Sequence, residues 1–126
     1  MNPRRAAATP DPLALLPLTP PAFHILLALA DGERHGYAIM RDVEARSDGD
    51  VRLAPGTLYG AIKRMLEQGV VEETDERPAP DEDDGRRRYY RLTRFGLEVL
   101  RAEATRLERL VEAARSKKLV ARPGLP

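Results

Sequence analysis

The chain contains no cysteine and no tryptophan. The first absence removes disulfides, thiolate metal sites and cysteine nucleophiles together, and it fits a reducing, cytoplasmic setting. Only two histidines (His24 and His35) and two serines (Ser47 and Ser116) are present, with no triad-like grouping. Catalysis, cofactors and metals are therefore not expected. Aromatic residues make up only 5% of the chain. No apolar run approaches the roughly 20 residues that span a bilayer. The run near the N terminus, Leu13 to Leu18, is short and broken by Pro17, so neither a membrane segment nor a secretory signal is expected. A large charge of one sign is missing too: 33% of the 126 residues are charged, yet the formal net charge is only +1. Any nucleic-acid surface must come from local segregation of charge.

What is present reads as a sequence of helices with one hairpin. Residues 1–18 form a flexible, proline-rich arm from which Leu13, Leu15 and Leu16 could dock on the body. Thr19 before Pro20 and Pro21 marks a helix start. "AFHILLALA" is apolar nearly all round, which predicts a buried helix stopped by Gly32. Within it, His24 reads as a hydrogen-bonded core histidine. A second helix begins near Gly36, with His35 as its local cap and Ile39, Met40 and Val43 facing inward. "SDGD" at 47–50 is a turn, followed by a short extended piece at 51–53. A third helix runs from Pro55 to Gln68, with Gly69 as its C-terminal stop. Leu58, Ile62, Met65 and Leu66 face the core, and Gly60, Lys63, Arg64 and Glu67 face outward, with Thr57 and Tyr59 at the margins.

"VVEETDER" and "RRRYYRLT", joined by a proline-broken acidic loop, read as a β-hairpin. Tyr90 and Leu92 share one face of it, and Arg87, Tyr89 and Arg91 the other. Asp81, Glu82, Asp83 and Asp84 are contiguous, without the spacing of a calcium loop, and read as a solvated charge run. Thr93 then caps a long final helix. Leu97, Leu100, Ala104, Leu107, Val111 and Ala114 recur at steps of three and four, a heptad seam that expects a second copy of the chain. Glu98/Arg101, Glu103/Arg106 and Glu112/Arg115 are expected as i, i+3 ion pairs, each contributing about a few tenths of a kcal/mol. Residues 119–126 are unstructured by composition.

Gly60 asks for a reason, because glycine inside a helix costs roughly 1 kcal/mol against alanine. Three helices, the third outward-basic, followed by a hairpin, match the order of a winged helix-turn-helix, whose second motif helix enters the major groove. A glycine at the centre of that face would let the helix backbone approach DNA closely. Arg86, Arg87, Arg88, Arg91 and Arg94 fall within nine residues, interleaved with Tyr89 and Tyr90, a stripe suited to phosphates. The expected fold is thus mainly α with a small β-hairpin: a winged helix-turn-helix over 19–92 and a dimerisation helix over 93–118.

His35-Gly36-Tyr37, then Pro55-Gly56-Thr57-Leu58-Tyr59, Gly69, Arg88-Tyr89-Tyr90-Arg91-Leu92-Thr93 and Gly96 occur in this order. In these features, spread over residues 22–115, the chain resembles the PadR family of bacterial transcriptional regulators, of the type with a single C-terminal helix. The resemblance implies a homodimeric repressor of double-stranded operator DNA, with Tyr37, Thr57, Tyr59 and Lys63 contacting the operator and Gly85–Arg88 in the wing. It also implies a small hydrophobic or phenolic effector, although no tryptophan is present to stack a flat drug. The alternative expectation is a winged-helix protein-interaction module without sequence-specific DNA binding.

Overall fold

Side chains that accept hydrogen bonds from the first turn start three of the four α-helices. The structure is a computed structural model describing residues 10–78 and 86–121, with backbone alone for 75–78, 86 and 87. Helix α1 (Pro20–Ala28) begins where Thr19 Oγ1 accepts from the Ala22 N–H at 3.2 Å. Its two leading prolines have no N–H to leave unpaired. It ends before Gly32, which follows a turn and takes a φ of 140°. Helix α2 (Gly36–Arg46) is capped by His35, whose Nδ1 accepts from the Ala38 N–H at 3.1 Å. Helix α3 (Pro55–Gln68) has no side-chain cap at Ala54 and stops at Gly69, left-handed at φ 78°. Helix α4 (Arg94–Ser116) starts at Thr93, whose hydroxyl accepts from the Gly96 N–H at 2.9 Å and donates to the Gly69 carbonyl at 2.5 Å. That one side chain fastens the end of α3 to the start of α4.

The sheet has three antiparallel strands, not the two expected: β1 (Arg34–His35), β2 (Val71–Pro78) and β3 (Arg86–Leu92), in the order β1-β3-β2. Arg34 lies opposite Tyr90 and His35 opposite Tyr89. Two residues are too few to show period-2 alternation, so β1 left no sequence signal. The extended piece expected at 51–53 joins no strand. An irregularity between Glu73 and Glu76 shifts the β2–β3 register, and there Thr74 Oγ1 donates to the Tyr89 carbonyl at 3.3 Å. The acidic loop, Asp81 to Asp84, lies outside the described residues.

The core gathers Ile25 and Leu26 of α1, Ile39 and Val43 of α2, Leu58, Ile62 and Met65 of α3, Tyr90, and Val99 and Leu100 of α4. Burying each large aliphatic side chain contributes about 1.5–3 kcal/mol. Leu66, expected inside, is 37% exposed, and Ala61 takes its place at 6%. The helical wheel gives the reason: taking Leu58 as zero, Ala61, Ile62 and Met65 fall within about 60° of it, whereas Leu66 falls about 80° away. Around Gly96, α4 comes so close to the chain after α3 that a Cβ would overlap the Val70 carbonyl.

Three further expectations are revised. The stretch read as a flexible arm contains a 3-10 turn, Pro12–Leu15, capped by Asp11. Leu15, Leu16 and Leu18 pack against the core, whereas Leu13 points outward. The Glu103–Arg106 pair is not a surface decoration. Glu103 is buried, holds Arg106 at 2.6 Å and accepts from the Leu18 N–H at 2.9 Å. The Arg106 hydrogen bond, opposed by burial and helped by the Leu18 N–H, holds its carboxyl below the usual range. Finally, the hydrogen bond expected at the His24 ring is missing at its buried Nδ1 among the described residues, although the His24 carbonyl accepts from Arg46 Nη2 at 2.7 Å.

The heptad seam divides. Leu100 is buried in its own chain, together with Gly96, just before the seam, and Val99 and Glu103 between its positions. Leu97, Leu107 and Ala114 are half-buried, while Ala104 and Val111 are exposed. The stripe that α4 uses for its own body is the one nearest its N terminus.

Candidate nucleic-acid interface

Helix α3 carries two flanks and an outward face, and the wheel sorts its residues among them. On one flank, Tyr59 reaches α2: its ring lies so close to Gly36 that a Cβ there would overlap it. Gly36 is therefore the glycine that α2 needs at its start. On the other flank, Thr57, Arg64 and Gln68 border a groove facing the N-terminal segment. Between the flanks, Gly60, Lys63 and Glu67 point away from the core at about 140–200° from Leu58. At Gly60 a Cβ would meet only Arg64 Nη1, at 3.8 Å, among the described residues. Packing within the chain does not demand glycine at that position.

Most of the expected contact residues are drawn together. Tyr37 is 53% exposed on α2, one residue from the Gly36 backbone that Tyr59 covers, and Tyr59 itself is 46% exposed. The two phenols thus border the α2–α3 junction. Lys63, Arg64 and Thr57 are all exposed on α3. Arg41 was not anticipated. Its guanidinium carbon sits 5.7 Å from the centre of the Tyr37 ring, a cation–π contact that adds positive charge beside the phenol. The signal for it was available, since Tyr37 and Arg41 are four residues apart on one helix. The first N–H groups of α3, lacking a side-chain cap, lie at the positive end of its dipole.

The basic stripe is more engaged than its sequence suggested. Arg91 Nε donates to Glu72 at 2.7 Å, and that hydrogen bond raises the arginine's affinity for its proton. Arg88 lies 4.0 Å from Glu73. No acid interrupts the arginines along the chain, but the neighbouring strand supplies acids across the ladder. The side chains of Arg86 and Arg87 lie outside the described residues, and Arg94 is exposed. Behind the stripe, Tyr90 is 4% exposed. Burial, then Glu73 and Tyr59, push its phenol above the usual range against the opposing pull of Arg88. Tyr89 meets the His35 ring edge-on at 5.4 Å, which joins β3 to the cap of α2.

Among the described residues no helix is long and apolar enough to cross a membrane, and no cluster of metal-ligating side chains occurs. Residues 25–102 match the model of the transcriptional regulator PadR-like family. Over 86 residues the chain is 43% identical to the 37.1 kDa protein in transposon TN4556 of Streptomyces fradiae, covering 68% of this chain and 22% of that one. It is 29% identical over 72 residues to protein X of Lysinibacillus sphaericus, covering 57% of this chain and 63% of that one. The chain thus spans less than two thirds of either relative. Its fold is similar to the crystal structure of a PadR family transcription regulator from Clostridium difficile R20291, with a TM-score of 0.63 at 23% identity over 78% of this chain and 97% of that one. With the family match running from the last turn of α1 to the first turns of α4, the chain belongs to the PadR-like family of transcriptional regulators.

Proposed function

We propose that the protein is a dimeric repressor that binds double-stranded operator DNA through α3 and the wing and is released by a small effector. The observation that carries this reading is the outward face of α3. It presents Lys63, with Arg64 on its flank, beside a glycine that no neighbour among the described residues requires. Tyr37, Thr57 and Tyr59 border that face, and Arg86, Arg87 and Arg88 grip phosphate beside the groove. The test is a mobility shift on the DNA upstream of the protein's own gene, at several salt concentrations. Wild type shifts that DNA and Gly60→Leu does not, while its circular dichroism stays helical. Lys63→Ala flattens the salt dependence by about one unit if that contact is to phosphate. Normal binding by Gly60→Leu removes the proposal of close approach.

The pairing of Arg88 with Glu73 and of Arg91 with Glu72 favours a second reading, in which the hairpin is a protein-interaction surface. Salt-insensitive behaviour and no shift on upstream DNA would select it.

A further inference from the structure

The groove on the second flank of α3 has an apolar lining that the DNA reading does not use, beside Thr57 and Arg64, which it does. It encloses about 520 Å³ between the N-terminal segment, the start of α1 and α3. Its walls are Leu15, Pro17 and Leu18 on one side and Ala61 and Met65 on the other, closed by Pro21 and Ala22. Among the described residues, no aromatic ring and no acid lines it, and Arg64 is the one charged side chain that does, beside the neutral polar side chains of Thr19, Thr57 and Gln68. The outer wall is fixed in place, because the Leu18 N–H is held by the buried Glu103 carboxylate at 2.9 Å. Such a volume, mostly apolar walls and a few polar groups with a single charge are the marks of a small-molecule site.

We propose that this groove binds a medium-chain aliphatic carboxylate, its saturated body along Leu15, Leu18 and Met65 and its carboxylate on Arg64. An aliphatic, proline-edged wall suits a flexible chain better than a flat ring, and Arg64 matches a carboxylate by charge and by fork geometry. Occupancy has a consequence that rests on the DNA reading above. The ligand draws Arg64 and Thr57 to the flank of α3, away from the phosphates and bases they would otherwise meet, and so lowers operator affinity.

The test uses the full-length protein, sodium octanoate as probe and methyl NMR as readout, with 1-octanol as the uncharged control. Octanoate saturates with a dissociation constant of about 1 mM or tighter, the range open to a ligand of its size. The shifts centre on the methyl groups of Met65, Leu15 and Leu18. Ala22→Phe fills the groove and weakens binding at least about ten-fold, and Arg64→Gln, an exposed change that leaves the core intact, weakens it about five-fold. Octanol binds more weakly than octanoate by a similar factor. Absence of saturable shifts, undiminished binding by Arg64→Gln, or equal binding of octanol overturns the site. Operator binding is measured separately without octanoate. If it is absent while octanoate still saturates the groove, the repressor reading fails and the site stands. If operator affinity is normal and saturating octanoate leaves it unchanged, the proposed coupling is wrong.

Discussion

At the scale of single residues, the described glycines separate into those the fold requires and two, Gly56 and Gly60, whose surroundings leave room for a Cβ. Gly96 lets α4 touch the Val70 carbonyl, and an added methyl has rigid backbone in its way. Gly96→Ala is therefore expected to lose about 1–3 kcal/mol of stability in urea unfolding. Gly60→Ala meets no such obstacle and should gain up to about 1 kcal/mol from helix propensity. Equal effects at the two positions would contradict this division. Gly60 was legible from the wheel alone, because an outward glycine is visible as a break in a pattern. Gly36 and Gly96 were visible only as motif letters, since what they accommodate, the Tyr59 ring and the Val70 carbonyl, comes from 23 and 26 residues away. Glu103 was misjudged for the same reason. Its spacing from Arg106 showed a pair, but the Leu18 segment that buries it is remote in sequence. Because the folded state depresses its carboxyl pKa, Glu103 contributes stability above the ordinary carboxylate range, near pH 4. That contribution is lost as pH falls through the depressed value. Glu103→Gln should be less stable than wild type at pH 7, and the gap should narrow below about pH 4. A gap that is flat down to pH 2 would show that the charge plays no part.

At the scale of elements, α4 shows how far periodicity can be read. Its start at Thr93 and its length were plain, because capping and heptad spacing are local properties. The partner of each position was not, because one apolar repeat can serve its own body or a second chain. The structure assigns the N-terminal stripe of Val99 and Leu100 to the body. It leaves Leu110 at 55% and Val111 at 39% exposure, on one face with Leu107 and Ala114. Exposed aliphatics in such a row suit a symmetric partner. Leu110→Glu with Val111→Glu is accordingly expected to yield monomers in sedimentation velocity without loss of helix content, as both side chains lie outside the core. A double variant that remains dimeric would place the interface elsewhere. The strands show the opposite limit. β3 was readable from Tyr90 and Leu92, whereas β1 consists of two residues and exists only because β3 offers an edge to Arg34 and His35.

At the scale of the whole molecule, the proposed dimer converts two local surfaces into a ruler. Each protomer fixes α3 through three attachments. Tyr59 sits on the start of α2, the Thr93 hydroxyl joins the Gly69 carbonyl to α4, and the core holds Leu58, Ile62 and Met65. The proposed recognition face is thus rigidly related to α4, so a dimer formed along α4 would hold its two α3 helices at one fixed separation. Two-fold symmetry requires the operator to be palindromic, with half-sites about one helical turn, roughly 34 Å, apart. Inserting five base pairs at the centre turns the second half-site by about half a turn onto the far side of the duplex. That insertion should reduce affinity to the level of random DNA. Moving the half-sites by one base pair should cost less, through the twisting of the DNA that it demands. The loss should persist at low salt, where non-specific phosphate contacts are strongest, because the lost term is geometric. Binding that tolerates the five-base-pair insertion would mean that the protomers read DNA independently, and that α4 does not join them into one rigid reader.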